Sequence, residues 1–474
     1  MMSEPSRLHP ATVIFNLVKG IKDSFFLFVI AFVSLINLHI LYAILMIVVL
    51  VLIIAIASFV SWQRFTYHVE GDELKLEYGV FIRKKRYISK NRVQSIDLTQ
   101  NLLHRIFKLV KVEIETAGTG AEAEASLNAV TLMQGKALRT ELKTLGEVEQ
   151  LEENHEEKHP ARTITRKRLI ITGATSGSIG VILAIAGAVS SELSRFIPSD
   201  FYDNAYSWVV GLGIIILVMM IIGVFILLWV LGIVGTIIKY WNFTIEKVEE
   251  DIVITCGLLE KKHITIPMKR IQAVGYVESL IRQPLGYATV IAEIAGGSNQ
   301  KGEDFSTVLF PIMKKSEIDN FLTELLPNYT VNQTDFTKLP KRSAKYYLFR
   351  TVVPSLVLLI AALYFLPQLT WIPVAILGLS ILLGLLQVKD SGYALEDNKL
   401  TIRYRNFNKV TMVMNHKRIQ AFNKKQHILH RKEKLATIKL SIVGKMGLGK
   451  HYHVKELDLE AANKMADWYS YRGV

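Results

Sequence analysis

The sequence repeats one tripeptide pattern three times, as Arg92-Val93-Gln94, Arg270-Ile271-Gln272 and Arg418-Ile419-Gln420. Each occurrence follows the end of a long hydrophobic stretch. An internal repeat constrains a fold more strongly than a single motif does, because the same unit must be built each time. The sequence therefore predicts three copies of one unit, each a membrane hairpin followed by a soluble β-rich domain.

The residues around the tripeptide repeat in the same register without gaps. Thirteen residues before the motif arginine lies Gly79 in the first copy and Gly257 in the second, whereas the third copy has Arg405. Eight and nine residues after each motif glutamine lie two aliphatic residues: Leu102-Leu103, Leu280-Ile281 and Ile428-Leu429. The three copies are thus equivalent in sequence, although the third has replaced the turn glycine.

The composition indicates a protein that is partly membrane-embedded and partly soluble. The mean hydropathy of +0.29 is high for a soluble protein, whereas 21% charged residues is high for a pure transporter. The single cysteine, Cys256, excludes an intramolecular disulfide and a zinc site with several cysteine ligands. We expect no cleavable signal peptide, because the first apolar segment is too long for one.

Six membrane-spanning helices are predicted, in three hairpins. A span needs about 20 mostly apolar residues, and the stretch from Ser24 to Val60 holds no charged residue. One helix of that length would far exceed the hydrocarbon thickness, so two spans that meet near Asn37-Leu38-His39 are expected. The second hairpin comprises 169–190 and 208–238, and the third comprises 348–366 and 371–388.

The even number of spans predicts that both termini and all three soluble domains lie on one side of the membrane. The loop from Ser191 to Ser207 carries one cation and three acidic residues. Basic clusters such as Arg166-Lys167-Arg168 and Lys341-Arg342 flank the spans on the domain side. By the positive-inside rule the domains are cytoplasmic. Apart from Arg350 near the start of the fifth span, no Asp, Glu, Lys or Arg lies inside a predicted span, which argues against an ion-coupled transporter.

Each soluble domain is predicted to be a β-meander followed by one helix. In the first copy the segments from Phe65 to Val69 and from Leu74 to Gly79 alternate with a period of two around a tight turn. The predicted final helices are Gln134 to Leu145, Lys315 to Leu326 and Leu459 to Tyr471. The predicted fold class is therefore six transmembrane helices with three small β-barrel or sandwich domains, each closed by a C-terminal helix.

The domain boundaries follow from these segments. The N-terminal segment and first hairpin occupy 1–62, the first domain 63–146, and an acidic and basic linker 147–168. The second hairpin occupies 169–238, the second domain 239–327, and a linker 328–347. The third hairpin occupies 348–388 and the third domain 389–474.

Further stretches of the second copy carry a family resemblance. After Arg270-Ile271-Gln272 the sequence reads Leu-Gly-Tyr-Ala-Thr-Val at 285–290 and Ala295-Gly296, and the first copy ends in Glu115-Thr116-Ala117-Gly118. These stretches resemble the second family of bacterial pleckstrin-homology-like (PH-like) domains. The layout of three hairpin-plus-domain units is similar to that of YdbT-type membrane proteins of Gram-positive bacteria. The resemblance implies a fold and a place in the bacterial cell membrane, but not an activity.

The repeated motif supplies the first candidate site. Arg92, Arg270 and Arg418 place a cation at the same position of each domain, where it would face a lipid phosphate or an acidic partner. Alternatively each arginine donates a hydrogen bond to a loop carbonyl and only stabilises the domain. The motif glutamines belong to the same candidate set, with a structural role favoured: Gln94, Gln272 and Gln420.

The densest basic run supplies the second candidate site. Arg83, Lys84, Lys85 and Arg86 lie between two predicted strands of the first copy. Near the cytoplasmic surface each cation would gain about 1 kcal/mol from anionic headgroups. Alternatively the run is a solvated face that fixes the topology. The net charge of +14 fits both interpretations, and a nucleic-acid partner is not expected without aromatic platforms beside the cations.

No enzyme, cofactor or metal site is predicted. The twelve histidines show no H-E-x-x-H spacing, and the sequence has neither a P-loop nor a G-x-S-x-G motif. The preferred hypothesis is an adaptor or scaffold for a protein partner, or for copies of itself, in cell-envelope or stress-defence processes. Three tethered domains would strengthen weak single contacts. The alternative is anionic-lipid binding or lipid handling at the cytoplasmic leaflet, and a transporter or export component is less favoured.

Overall fold

The computed structural model describes residues 5–29, 40–116, 125–143, 161–176, 213–295, 307–330, 336–396, 398–444 and 449–470. The chain divides into two compact units. Unit 1 comprises Met1–His159 and Val248–Pro267, and unit 2 comprises Pro160–Lys247 and Met268–Val474. The division cuts through the second sequence repeat, because residues 248–267 belong with the first.

Unit 1 contains two antiparallel sheets. The first has the order β1-β2-β3-β4, with β1 (Ser6–Arg7), β2 (Thr66–Glu70), β3 (Glu73–Tyr78) and β4 (Lys84–Ser89). The second includes β5 (Val93–Gln100), β6 (Leu109–Thr116), β7 (Ala125–Thr131), β10 (Asp251–Cys256) and β11 (Lys261–Pro267), in the order β7-β6-β5-β11-β10. The helices of this unit are α1 (Thr12–Asp23), α2 (Ile40–Gln63), α3 (Leu102–Ile106) and α4 (Leu132–Lys143).

The first half of unit 2 continues the second repeat. Its strands are β8 (Arg162–Thr163), β9 (Thr244–Val248), β12 (Ile271–Glu278), β13 (Tyr287–Ile294) and β14 (Thr307–Lys314). Its helices are α5 (Arg166–Ala174), α6 (Gly213–Tyr240) and α7 (Lys315–Leu325).

The second half of unit 2 holds the third repeat. Its strands are β15 (Thr337–Lys338), β16 (Gly392–Leu395), β17 (Lys399–Arg405), β18 (Lys409–Asn415), β19 (Ile419–Lys425), β20 (Leu435–Val443) and β21 (Gly449–Asp458). Its helices are α8 (Ala344–Phe365), α9 (Trp371–Asp390), α10 (Ile428–Lys432) and α11 (Leu459–Ser470). The two sheets have the orders β14-β13-β12-β18-β17-β16-β15 and β19-β20-β21.

Of the two predicted forms of the domain, barrel or sandwich, the barrel is wrong, because the described sheets do not close and strands pair between repeats. Strand β5 of the first repeat pairs with β11 of the second, and β12 of the second pairs with β18 of the third. We call these two pairings the seams. Each seam satisfies main-chain groups that a separate domain would leave exposed at a strand edge. The next repeat thus covers an edge that a closed barrel would have covered by itself.

The three predicted final helices are present as α4, α7 and α11, each directly after the last strand of its repeat. Apolar side chains of these helices lie in the cores: Leu138 and Leu142 of α4, Phe321 and Leu322 of α7, and Ala462 and Met465 of α11. Their burial against the sheets supplies the apolar contact that each open sheet needs on its inner face.

Four of the described helices are long and apolar enough to cross a membrane: Ile40–Gln63, Ile222–Tyr240, Lys341–Phe365 and Trp371–Asp390. They correspond to four of the six predicted spans. The first predicted span lies largely, and the third partly, outside the described residues, which omit 30–39 and 177–212.

A short antiparallel strand pair lies at the domain end of each hairpin. Ser6 of β1 is paired with Tyr67 of β2, so the chain before the first hairpin meets the chain after it. In the same way Arg162 is paired with Ile245, and Thr337 with Tyr393. Each hairpin is therefore bracketed by a strand pair that holds its two ends together.

His104 on α3 predicts a pH dependence of stability. The side chain is 6% exposed, its Nε2 lies 2.7 Å from the Asn128 carbonyl oxygen, and its Nδ1 is buried without a hydrogen bond to any described residue. Burial lowers the pKa of His104 below its ordinary value of 6.5, so the unfolded chain binds the proton first as pH falls. We expect stability to decrease below about pH 6.5, by up to about 1.4 kcal/mol per pH unit.

Thermal unfolding of the purified chain at pH 7.5 and pH 5.5 checks this expectation. A His104→Gln variant keeps an amide donor for Asn128 but cannot titrate, so it should lose part of the pH dependence. An identical pH dependence in the variant and the parent would contradict the assignment.

Candidate interaction surfaces

The motif tripeptide lies at the same point of each repeat, where a 3-10 turn leads into the fifth strand. The turns are Lys90–Arg92, Met268–Arg270 and His416–Arg418. Each turn is the passage from one sheet to the other, because β4, β11 and β18 precede it and β5, β12 and β19 follow it. The motif thus lies at the connection between the fourth and the fifth strand of each repeat.

In the second repeat the motif side chains bond to the local backbone. The Nε of Arg270 donates to the Ala295 carbonyl oxygen at 2.9 Å, and the Ala295 amide donates to the Arg270 carbonyl oxygen at 2.9 Å. Gln272 is 4% exposed, and its Nε2 donates to the same carbonyl at 3.1 Å. These contacts stabilise the strand ends, and they favour the structural interpretation of Arg270 and Gln272.

The other two motifs have different surroundings. Arg92 is exposed, while Arg418 is half-buried and approaches Tyr329. Burial raises the pKa of Tyr329, and the nearby Arg418 cation opposes that increase. Gln420 is exposed, and the side chain of Gln94 lies outside the described part of the chain. Because their environments differ, a shared binding role for the three motifs stays a prediction.

The basic run forms most of β4 and its approach. All four side chains, Arg83 to Arg86, are exposed. Glu77 on the neighbouring strand contacts two of them, with Arg83 at 2.9 Å and Lys85 at 2.8 Å. The Lys85 hydrogen bond holds the pKa of Glu77 below its ordinary value. The surface remains cationic, because the run carries four cations and Glu77 supplies one negative charge.

Counting from the motif shows that β4 corresponds to β11 and β18, the seam strands of the later repeats. The latter two strands are largely covered, whereas the first four residues of β4 are exposed. Likewise β19 corresponds to β5 and β12, yet four of its seven residues are exposed, against none of the eight in β12. Within the described residues β4 pairs only with β3, and β19 only with β20. We call β4 and β19 the open edges.

The charges on the open edges act against their mutual pairing. In the first seam Lys262 of β11 is paired with Thr99, and His263 with Leu98. The same register between two copies of the chain would set Lys84 opposite Lys425, and Lys85 opposite Lys424. Like charges directly opposite each other destabilise a strand pair. The open edges therefore disfavour head-to-tail association of this chain with itself.

In each repeat, a basic residue at a third repeated position contacts the helix that precedes or begins the predicted hairpin. Ten residues after the motif glutamine lie His104, Arg282 and His430. The ring of His104 lies 4.3 Å from that of Phe15 on α1, and the ring of His430 lies 4.7 Å from that of Tyr346 on α8. The Nε of Arg282 donates to the Thr175 hydroxyl at 2.8 Å, next to the end of α5. We call this position the corner.

The aliphatic pairs that mark the repeat lie beside the corners and are exposed. The exposed fractions are 49% and 37% for Leu102 and Leu103, 51% and 58% for Leu280 and Ile281, and 76% and 54% for Ile428 and Leu429. In the sequence these pairs indicate only the register of the repeat. Each repeat therefore exposes two apolar side chains next to its corner residue.

The described residues contain no group of three or more His, Cys, Asp or Glu side chains arranged to hold a metal ion. The surfaces that stand out are the open edges, with main-chain donors and acceptors, and the cationic and apolar side chains around them. Such surfaces are suited to binding a strand, an acidic segment or a lipid surface.

Comparison with known proteins agrees with the repeat. Residues 24–145, 182–328 and 349–473 each match the family model of the bacterial PH domain. The chain is also 34% identical over 490 residues to the UPF0699 transmembrane protein YdbT of Bacillus subtilis (strain 168), and the match covers 99% of each chain. The three matched segments cover about five sixths of the sequence, and each contains or overlaps an apolar helix. The chain therefore belongs to the bacterial PH domain family, as a transmembrane protein that carries three copies of the domain.

Proposed function

We propose that this protein is a non-enzymatic membrane adaptor that presents three cytoplasmic PH-like domains to a protein partner in cell-envelope or stress-defence processes. The main support is that adjacent repeats pair through their strand edges, whereas β4 and β19 each have one edge without a paired strand among the described residues. The proposed domains keep the boundaries 63–146, 239–327 and 389–474.

The bracketing strand pairs support six spans. Two paired strands lie on the same side of a membrane, so the chain between them crosses it an even number of times. Between β1 and β2 the structure describes one candidate span, Ile40–Gln63, and between β8 and β9 it describes one, Ile222–Tyr240. We therefore include a second crossing in each of these hairpins in the proposal. The basic residues on the domain side support a cytoplasmic orientation.

The first open edge is the proposed docking strand. An added strand would use the main-chain groups of β4 for affinity, as in other cases of strand addition to a sheet edge. Lys84, Lys85 and Arg86 would select a partner strand that carries carboxylates, and they would reject a basic one. The two seams supply the precedent, because the same position of the later repeats already pairs in this way.

We expect a photo-reactive amino acid at Tyr87 of β4 to form a discrete protein adduct in cells. Tyr87 is 57% exposed, so the replacement needs no change in the core. Reversing two charges with Lys84→Glu and Lys85→Glu should decrease the adduct at least tenfold, because the pairing carboxylates would then meet like charges. The measurement is the adduct yield at equal amounts of membrane protein.

The matched control places the same probe at Lys439, a half-buried position on the central strand β20, whose neighbours β19 and β21 already occupy both of its edges. It should give no adduct that responds to the charge reversal. If the adduct at Tyr87 persists unchanged in the charge-reversed variant, the docking proposal is wrong.

Binding to anionic lipid is the second candidate function, and one observation favours it. Phe81 and Ile82 directly precede the basic run and are 98% and 74% exposed. Apolar side chains beside cations are typical of segments that enter a headgroup layer. Adducts at Tyr87 that contain lipid instead of protein would favour this function.

A further inference from the structure

An open cleft of about 450 Å³ lies between the start of α8 and the third repeat. Phe349, Val353 and Pro354 of α8 form its apolar wall. Arg350, His427 and Glu456 supply its polar groups. One side of the cleft thus belongs to a helix long and apolar enough to cross the membrane, and the other side belongs to a soluble domain.

The polar end is built around a buried carboxylate. Glu456 is 2% exposed, and its Oε1 accepts a hydrogen bond from Arg350 at 2.5 Å and lies 3.9 Å from Nε2 of His430. Its Oε2 is buried and accepts no hydrogen bond from the described residues. The backbone of Glu456 has φ of +51°, which a non-glycine residue adopts at a cost of about 1 kcal/mol or more. A strained, buried carboxylate is a costly arrangement for a purely structural position.

Two groups around this carboxylate present donors to the cleft. The side chain of Arg350 remains 42% exposed although one of its nitrogens bonds to Glu456. The Nδ1 of His427 accepts the Leu429 amide at 3.3 Å, so the ring proton of a neutral His427 is on Nε2. A guanidinium and an imidazole N–H near each other match the oxygens of a phosphate group.

The position of the cleft along α8 matches the dimensions of a membrane lipid. Arg350 lies about 9 Å along α8 from its first residue, at the usual rise of about 1.5 Å per residue, and the exposed apolar side chains from Leu356 onward continue toward the membrane core. Charged groups therefore lie at headgroup level, while Phe349, Val353 and Pro354 lead toward the acyl chains. A soluble phosphate would use only the polar end.

We propose that this cleft binds one glycerophospholipid, with its phosphate on Arg350 and His427 and an acyl chain along Phe349, Val353 and Pro354. Glu456 holds the guanidinium in place. The site is separate from the open edges, and the proposal stands whether or not a partner strand binds β4. It also differs from a general attraction of anionic membranes to basic residues, because the paired charges of Arg350 and Glu456 cancel.

The test uses the purified full-length chain in detergent and native mass spectrometry. Phosphatidylglycerol, phosphatidylethanolamine, diacylglycerol and inorganic phosphate are added separately. We expect one tightly bound phospholipid per chain, and at least tenfold weaker binding of diacylglycerol and of inorganic phosphate. Equal binding of inorganic phosphate would overturn the lipid assignment, and equal binding of diacylglycerol would overturn the phosphate contact.

Two variants locate the site. The double variant Arg350→Gln, Glu456→Gln removes both charges without leaving one of them buried alone, and Val353→Trp fills the apolar part of the cleft. Each should weaken phospholipid binding at least tenfold. Because Val353→Trp leaves the charge pair intact, it keeps the proposal testable if the double variant fails to fold.

Matched controls lie close by on the same elements. Arg342 and Asp458 form an ion pair in the same repeat but outside the cleft, so Arg342→Gln with Asp458→Asn should bind phospholipid as the parent does. Val357→Trp adds the same ring one turn further along α8, where Val357 is 60% exposed. Undiminished binding in Val353→Trp, or an equal loss in Val357→Trp, would show that the cleft is not the site.

Discussion

Replacing Gly275 with valine is expected to lower the free energy of unfolding of the protein by about 3 kcal/mol. Gly275 lies in β12 opposite Met412 of β18, inside the second seam. A Cβ atom at this position would lie 2.1 Å from the Thr411 carbonyl oxygen and 2.4 Å from the Met412 sulfur. The carbonyl belongs to the paired strand, so the clash is relieved only if the seam opens locally. Thermal unfolding of the purified full chain measures the loss.

The third repeat offers a matched control for this substitution. Asn423 holds the equivalent position on β19, which is an open edge, and it is exposed. Asn423→Val should change stability by no more than about 0.5 kcal/mol. If both variants unfold at the same temperature, the seam does not contribute to stability as proposed.

The first repeat shows how a side chain at this position shortens a seam. Its equivalent residue is Asp97, whose Oδ1 accepts a hydrogen bond from the Thr265 amide at 3.1 Å. The first seam pairs only from Leu98 to Gln100, whereas the second continues past Gly275 to Ala273. Glycine therefore permits the longer pairing, and valine would remove that advantage without supplying the bond that aspartate makes.

Replacing Arg282 with alanine is expected to cost about 3 kcal/mol, because hydrogen bonds from a charged donor contribute about 1.5–3 kcal/mol each and buried acceptors would lose their partner. Arg282 is 7% exposed. Its guanidinium donates to the Thr175 hydroxyl at 2.8 Å, to the Pro311 carbonyl oxygen at 3.1 Å and to the Thr172 carbonyl oxygen at 3.3 Å. These bonds tie α5 to the sheet of the second repeat. The same thermal unfolding measurement applies.

Two further variants test whether Arg282 contributes more to stability than an arginine on the surface does. Arg282→His introduces the residue type of the other two corners, so it should lose less stability than Arg282→Ala. Arg162 forms a half-exposed ion pair with Glu324 in the same unit, and Arg162→Ala should cost at most about 1 kcal/mol. A loss in Arg282→Ala no larger than that in Arg162→Ala would contradict the anchoring role.

Much of the fold followed from the sequence, because the repeat and the apolar stretches are local signals. Four of the six predicted spans and the helices α4, α7 and α11 agree with these signals. The seams were not predicted, because alternation tells which face of a strand is buried but not which strand lies beside it. The sequence of β18 does carry one signal, the run Val-Thr-Met-Val-Met at 410–414, which does not alternate between apolar and charged residues. Its successive residues Thr411, Met412 and Val413 are all buried, as is typical of a strand covered on both faces.

Identical residues at equivalent positions also proved a poor guide to the candidate sites. Gln272 is buried and Gln420 is exposed, although both belong to the same motif, because one strand lies in a seam and the other at an open edge. Conversely His104, Arg282 and His430 occupy one structural position with two residue types, so motif comparison did not reveal it. The burial and the contacts of each of these side chains depend on how the repeats pair, which the motif alone does not show.

The seams also impose an order on biosynthesis. Strand β5 leaves the ribosome well before β11, and the apolar helix α6 is made between them. At a usual rate of about 5–20 residues per second, β5 waits roughly 10 to 30 s for its neighbour. During that time its unpaired edge is open to aggregation or to a chaperone. Membrane insertion of α6 thus becomes a step in folding the first domain, and a stalled insertion would leave that domain incomplete.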